Sequence, residues 1–150
     1  GEDQVLYGFH GRGISKNAEP RYWAYGYKNR RNPQVWLGEH TVDFTKPVVV
    51  AESVFDYANI LKIYRNVISP LHADISPYAL DRIESAFEIV TVLDPDKAGS
   101  MGRTKIKKWA GPKRIVEHVI LPDGKDAGEM DIEPLMEKLE PFVTFDEIWD

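Results

Sequence analysis

From residue 46 onward, short apolar runs alternate with amphipathic stretches long enough for helices, and this alternation is the strongest constraint on the fold. The run Val48-Val49-Val50-Ala51 is continuous and rich in β-branched residues, as in a strand that is buried on both faces. A second run of this kind extends from Ile89 to Leu93. Strands that alternate with helices are typical of βαβ units around a parallel sheet. The sequence therefore predicts an α/β fold with a central parallel sheet flanked by helices.

The remaining elements are weaker and follow from periodicity and capping signals. Predicted helices cover Val54 to Arg65, a segment that starts at Ser76-Pro77, Ala98 to Ala110, and a last segment behind Asp131; weaker strands cover Asn66 to Ile68 and His118 to Leu121. In the first helix, Val54, Ala58 and Leu61 form one apolar stripe, which predicts a helix packed on the sheet. Beside this stripe lie Tyr57, Ile60 and Tyr64. In the second helix, Leu80, Ile83 and Phe87 are spaced for one face.

The chain divides into three parts by composition. Residues 1–45 are rich in glycine, asparagine, arginine and aromatic residues and have little helical periodicity, so they predict a small β-rich segment of short strands and loops. Residues 46–140 carry the alternating pattern of the predicted α/β core. Residues 141–150 form a tail that has no clear pattern.

The length and composition of the chain are typical of a folded, globular protein with one domain. Its 150 residues are 43% apolar and 29% charged, which is ordinary for a globular protein. No segment approaches the roughly 18 apolar residues of a membrane span, and the start of the chain lacks the basic and apolar regions of a signal peptide. We therefore expect a cytoplasmic protein without a membrane partner. Because the chain has no cysteine, any metal must be bound by oxygen or imidazole.

Charge is distributed unevenly along the chain. The formal net charge is −5, yet residues 97–118 carry seven basic residues against one acidic residue. A basic block of this kind is either a solvated helix face or a surface that contacts nucleic acid. The sequence leaves both interpretations open.

Acidic residues follow the predicted strands at the point where each strand ends. The acids concerned are Glu52, Asp56, Asp94, Asp96, Asp123 and Asp126. Because the carboxyl ends of parallel strands share one edge of the sheet, where ligands bind, we expect these side chains to meet there. Asp56 lies one helical turn after Glu52 and can face the same crevice.

Clustered carboxylates repel one another and raise one another's pKa unless a cation binds between them. Mg²⁺ prefers oxygen ligands and is commonly held by one or two protein carboxylates together with substrate phosphates, and Mn²⁺ can substitute for it. Each acid also has an individual explanation, since Asp94-Pro95-Asp96 and Pro122-Asp123-Gly124-Lys125 both read as turns. The common edge favours a magnesium site over a set of unrelated turns.

Two segments resemble the Toprim domain: VVVAESVFD at 48–56, and VTVLDPDKAG at 90–99 with its Asp-x-Asp pattern. Three further segments are similar to motifs of bacterial and phage replicative primases. They are GFHGRG at 8–13, EPRYW at 19–23 and LPDGKDAGEM at 121–130. The resemblance implies a Toprim-like, Rossmann-like fold. The family usually has glycine directly after the glutamate, where this chain has Ser53.

The resemblance implies Mg²⁺-dependent nucleotidyl transfer that makes RNA primers from nucleoside triphosphates on a single-stranded DNA template. Glu52 would bind metal or help to deprotonate the attacking hydroxyl, Asp94 and Asp96 would hold Mg²⁺, and the other acids would complete the rim. Nucleotide or nucleic acid would be bound by Arg12, Arg21, Tyr22, Lys97 and Arg103.

The resemblance also implies partners and alternatives. Further domains of the same polypeptide or a replicative helicase would act with this chain, in a bacterial or phage-infected cell. A Toprim-type nuclease would use the same carboxylates for hydrolysis, and a non-catalytic module of a replication protein would only bind metal and nucleic acid.

Overall fold

The computed structural model describes residues 8–15, 17, 19, 22–26, 35–70 and 75–145. The chain divides into two compact units, Gly1–Gln34 and Val35–Asp150. In the first unit, strand β1 (Gly8–Arg12) pairs antiparallel with β2 (Tyr22–Gly26), in agreement with the short strands expected there. The boundary between the units falls after Gln34, whereas the sequence pattern placed a boundary after residue 45.

The second unit contains the central sheet that the alternating pattern predicts. Its five strands are β3 (Trp36–Leu37), β4 (Val48–Ala51), β5 (Val67–Pro70), β6 (Glu88–Val92) and β7 (Ile115–His118), in the spatial order β3-β5-β4-β6-β7. Strand β3 is antiparallel to β5, and the other four strands are mutually parallel. The α/β fold with a central, mostly parallel sheet is confirmed, and β4 and β6 lie next to each other within it.

Within the described residues, four α-helices accompany the sheet, and local signals explain where they begin. They are α1 (Val54–Ile60), α2 (Pro77–Asp81), α3 (Lys97–Ala110) and α4 (Ile132–Leu139), and single 3₁₀ turns cover Glu39–Thr41 and Gly111–Lys113. The Ser76 hydroxyl accepts a hydrogen bond from the Ala79 N–H at 3.2 Å, and Pro77 supplies the first helical residue of α2. In the described part of the chain, no helix has both the length and the apolar character needed to cross a membrane.

Hydrophobic side chains cover both faces of the sheet, as expected for parallel strands. Val49 and Ala51 of β4 belong to one buried cluster, together with residues of α1 and α4. Val48 and Val50 belong to the other, together with residues of α2 and α3 such as Ile106. Helices pack against both faces of β4 and β6 and hold these strands in place. The residues at the carboxyl ends of the two strands are therefore attached to a rigid part of the molecule.

The structure corrects the predicted face and length of α1. The helix ends at Ile60 rather than at Arg65, and Val54, Ala58 and Leu61 are exposed. The residues predicted beside that stripe are the ones that pack, since Ile60 and Tyr64 are buried and Tyr57 packs against the same cluster. Asp56 and Asn59 are buried with them, because their side chains are hydrogen-bonded to main chain.

The strand predicted at His118 to Leu121 is wrong by three residues, since β7 covers Ile115–His118. Strand β7 lies at the edge of the sheet and alternates between exposed and half-buried side chains, so it lacks the continuous apolar run of a central strand. Helix α2 ends at Asp81. Leu80 and Ile83 are buried as the predicted face requires, whereas Phe87 is 61% exposed.

Candidate metal centre

Glu52 and Asp94 meet at the carboxyl edge of the sheet. Ala51 of β4 is paired with Val92 of β6, so Glu52 directly follows one strand and Asp94 lies two residues after the other. The Asp94 N–H donates a hydrogen bond to Glu52 Oε2 at 2.6 Å. Two acids that are 42 residues apart in the sequence are therefore in direct contact.

Burial and the surrounding charges make the ionisation of Asp94 unfavourable. Together they raise the pKa of Asp94 from 3.8 to about 6, with burial as the largest cause and the negative charges of four acids after it, in decreasing order Glu52, Asp56, Asp126 and Asp96. Burial also raises the pKa of Glu52, against the hydrogen bond from the Asp94 N–H. Four of the other five predicted acids thus oppose the ionisation of Asp94. The sixth, Asp123, lies exposed in the turn that the Lys125 N–H closes on the Pro122 carbonyl.

Asp94 Oδ1 is the feature of this cluster that most needs a ligand. It is buried and has no hydrogen-bond partner among the described residues. A buried polar atom without a partner costs about 1–3 kcal/mol, and more when it is charged. A cation bound at this oxygen would remove that cost and would relieve the repulsion between the acids.

The donors at this edge suit a hard cation, because carboxylate oxygens are the ligands that Mg²⁺ and Mn²⁺ prefer. Within the described ranges, no three histidine, aspartate or glutamate side chains already stand in a chelating arrangement. An ion bound here would therefore be held by one or two of the carboxylates, with water or substrate oxygens completing the coordination shell. Metal binding at these residues stays a prediction.

Asp56 is almost fully buried, at 2% exposure, and both of its oxygens accept main-chain hydrogen bonds. Oδ2 accepts from the Ser53 N–H at 2.8 Å, and Oδ1 accepts from the Gly128 N–H at 2.7 Å. The Ser53 hydroxyl accepts in return from the Asp56 N–H, which completes a capping box at the start of α1. Ser53 is extended, with φ −125, so its backbone needs no glycine and the hydroxyl gains a capping role. Asp56 thus fixes α1 and the loop that follows Asp126.

Asn59 shares this anchoring role, which was not predicted from the sequence. Its amide Nδ2 is buried and donates to the carbonyls of Ala127 at 2.8 Å and Met130 at 2.9 Å. Asp126 precedes this tethered segment, and its Oδ1 accepts from the Glu129 N–H at 2.8 Å. The available signal was the pair of polar residues three positions apart on one helical face, Asp56 and Asn59.

The Asp-x-Asp motif continues directly into α3. Asp96 Oδ1 accepts a hydrogen bond from the Gly99 N–H at 2.8 Å and so caps the helix. A Cβ atom on Gly99 would lie only 2.1 Å from the Asp94 carbonyl oxygen, which leaves space for glycine alone. The spacing of DPDKAG therefore reflects a helix that begins in contact with the Asp94 main chain.

Arg103 holds the same main chain from the next turn of α3. Its Nη1 donates to the Leu93 carbonyl at 3.1 Å and to the Asp94 carbonyl at 3.0 Å. Its positive charge also opposes the rise in the pKa of Glu52. Lys97 is exposed at the first residue of α3. Nucleic-acid contacts of Lys97 and Arg103 stay a prediction.

Three further predicted binding residues belong to the first unit. Arg12 and Tyr22 are paired across β1 and β2, while Arg21 lies outside the described residues. The backbone pairing brings Arg12 and Tyr22 of the two motifs together. Their predicted contact with nucleotide or template is not tested by this pairing.

Solved structures of primases share the fold of this chain. The Aquifex aeolicus primase, with its zinc-binding and RNA polymerase domains, matches 91% of this chain with a TM-score of 0.74 and 21% identity. A DNA primase domain from Pseudomonas aeruginosa matches 92% with a TM-score of 0.72 and 17% identity. A DnaG primase catalytic domain bound to single-stranded DNA matches 91% with a TM-score of 0.67 and 17% identity.

These matches cover only part of the solved structures. The chain spans 36% of the Aquifex structure and 47% of each of the other two. No protein-family model matches the sequence, and a search of curated proteins finds no significant relative. At this level of identity the likeness establishes the fold, so the Toprim-like fold of primase catalytic cores, expected from the motifs, is confirmed.

Proposed function

We propose that this chain is the Toprim catalytic part of a DNA primase, which joins nucleoside triphosphates into RNA primers on single-stranded DNA with Mg²⁺. The proposal rests on the contact between Glu52 and Asp94 at the carboxyl ends of β4 and β6. The buried, unpartnered Oδ1 of Asp94 adds a specific place for a cation. The shared fold with primases, one of them bound to single-stranded DNA, supports this reaction.

Asp94 and Glu52 would hold the ion, with Asp96 and Asp126 at the rim, directly or through water. A bound divalent ion supplies charge that stabilises the attacking and leaving oxygens of phosphoryl transfer. The alternative role of Glu52, in place of binding the ion, is to accept the proton of a 3′-hydroxyl, and burial, which raises its pKa, suits that role of general base.

The surrounding residues keep these groups in place. Asp56 holds the start of α1 beside Glu52, and Arg103 holds the Leu93 and Asp94 carbonyls. The main chain after Asp126 is tied down through Gly128. Preorganised groups of this kind lower the cost of aligning substrate oxygens for reaction.

A primer-synthesis assay tests the proposal, with labelled nucleoside triphosphates, a single-stranded template and Mg²⁺. We expect short labelled products from the wild type and from Asp81→Asn, a control that changes an exposed acid on α2. Asp94→Asn and Asp96→Asn should each give no detectable product while circular dichroism shows a folded chain.

A nuclease assay on the same template runs in parallel. The wild type could degrade the template without making primers, and Asp94→Asn could lack this degradation. That result would show that the chain is a nuclease and not a primase. If the folded chain is silent in both assays, the proposed activity of this chain is wrong and only a binding module remains.

A further inference from the structure

One face of α3 carries a row of exposed side chains that the proposed chemistry does not use. We call it the α3 stripe, and its members, spaced three, four or seven residues apart in the way that aligns residues on a helix, are Lys97, Met101, Thr104, Lys105 and Lys108. Met101 is 54% exposed. The opposite face of α3 is buried through Gly99, Ile106 and Ala110, so packing fixes the α3 stripe toward solvent.

The charge of this surface contrasts with the rest of the chain. Helix α3 contains no acidic residue, although the whole chain has a formal net charge of −5. Three lysines on one face therefore form a positive strip on an acidic protein. Surfaces of this kind attract polyanions, and the phosphate backbone of a nucleic acid is the most common one.

The α3 stripe leads away from the acid cluster. Asp96 caps the first turn of α3, and Gly99 contacts the Asp94 carbonyl, so Lys97 stands at the edge of the cluster. From Lys97 to Lys108 the helix rises about 16 Å, at 1.5 Å per residue. Several consecutive phosphates of one nucleic-acid strand span that length.

A shallow groove lies along the edge of the α3 stripe. It is lined by Met101, Thr104 and Lys105 of the stripe and by the neighbouring Ser100, and so combines an apolar thioether and hydroxyl groups with a cation. Unstacked bases of a single strand expose apolar faces that such a groove can contact, whereas a duplex hides them.

We propose that the α3 stripe binds the phosphate backbone of a single-stranded polynucleotide and directs it to the acids at the start of α3. The inference deepens the proposed function, on which it rests for the reaction at those acids. Binding is electrostatic and independent of sequence, and it weakens steeply with salt.

Fluorescence anisotropy with a labelled thymidine oligonucleotide tests this proposal, at salt concentrations from about 50 to 200 mM. The test variant carries Lys97→Ala, Lys105→Ala and Lys108→Ala. The matched control carries Lys113→Ala, Lys125→Ala and Lys138→Ala, which remove three exposed lysines elsewhere. Each lost phosphate contact on a single strand lowers the salt slope by about 0.7. We expect the slope of the test variant to fall by about 2 and its affinity at low salt to fall at least tenfold.

The control variant should keep at least half of the wild-type affinity. An unchanged slope in the test variant, an equal loss in the control, or no binding by the wild type would each overturn the inference. Mn²⁺ titration of the same proteins separates the two proposals, because the lysine changes leave the carboxylates intact. If the wild type fails to bind Mn²⁺ but binds DNA through the α3 stripe, the proposed function is wrong and the proposed DNA-binding role of the α3 stripe is supported.

Discussion

Asp94 is the residue at which function and stability conflict most clearly. Its Oδ1 is buried without a partner, and four other acids surround it. A chain selected for stability alone would avoid this arrangement, and groups of this kind are concentrated at functional sites. The conflict is resolved if a cation binds there.

Asp94→Asn should therefore stabilise the metal-free protein at neutral pH. The folded state raises the pKa of Asp94 from 3.8 to about 6, so the folded chain holds the proton more tightly than the unfolded chain does. Wild-type stability falls as pH rises between these values and stays lower above them. The asparagine variant has no such titration.

Thermal unfolding in the presence of a chelator measures this difference. The Tm of Asp94→Asn minus the Tm of the wild type is the quantity to follow. This difference should be lowest near pH 4, rise up to about pH 6, and be positive at pH 8. A Tm for Asp94→Asn below that of the wild type at pH 8 would show that the Asp94 carboxylate is stabilising, against this account.

Arg103 should act as a positioning residue for the Asp94 main chain. In Arg103→Ala, the Leu93 and Asp94 carbonyls lose their donor, and we expect a loss of about 1–3 kcal/mol in the free energy of unfolding. The affinity for Mn²⁺ should fall severalfold because the Asp94 loop is less well fixed, and Arg103→Lys should restore part of it.

Arg82→Ala is the matched control for Arg103. It removes an arginine away from the acid cluster, whose guanidinium donates to the carboxylate of Glu39 rather than to main-chain carbonyls. Mn²⁺ affinity should be unchanged in this control. If Arg103→Ala lowers stability but leaves Mn²⁺ affinity at the wild-type value, Arg103 has a structural role only.

At the level of elements, the junction between β6 and α3 depends on Gly99. In Gly99→Ala the new methyl group would overlap the Asp94 carbonyl at 2.1 Å, so helix or loop must shift. We expect a destabilisation of about 1–3 kcal/mol, typical of overpacking, together with weaker Mn²⁺ binding. Ser100→Ala, one residue along on the exposed side, should change neither quantity. Chemical denaturation and Mn²⁺ titration check both variants, and a Gly99→Ala protein as stable as Ser100→Ala would refute the close packing.

The central elements could be predicted because their signals are local and strong. Strand β4 is a continuous apolar run, and α3 begins at a cap and ends at Gly111. Strand β7 was misplaced because an edge strand keeps one side exposed and so lacks the apolar run that marks a buried strand.

The site could be predicted in outline, and its internal bonding could not. That Glu52 and Asp94 share an edge follows from the rule for parallel strands. Asp56 and Asn59 bind main-chain groups about 70 residues away, and Arg103 reaches back to the end of β6; such partners follow only from the tertiary structure. The buried face of α1 was misassigned in part for the same reason, since hydrogen-bonded polar groups lie beside Ile60 where Val54, Ala58 and Leu61 were expected to pack.

At the level of the whole molecule, the second compact unit contains the acid cluster and both hydrophobic clusters. These clusters are built from residues at Trp36 and beyond in the described chain. A fragment of residues 35–150 should therefore fold cooperatively and bind Mn²⁺ within about threefold of the full chain.

The same fragment should make no primers, because the predicted nucleotide- and template-binding residues Arg12, Arg21 and Tyr22 are absent from it. Circular dichroism, Mn²⁺ titration and the primer-synthesis assay check the fragment against the full chain. Full primer synthesis by the fragment would remove these three residues from the proposed mechanism.

Acids from the ends of β4 and β6 are expected to hold a divalent ion jointly. Electron paramagnetic resonance can measure Mn²⁺ binding by the wild type, Glu52→Gln, Asp94→Asn and the control Asp81→Asn. We expect saturable binding by the wild type and the control, and a loss of at least tenfold in affinity in each of the other two variants. Equal Mn²⁺ affinity in all four proteins, or no binding by the folded wild type, would contradict this expectation.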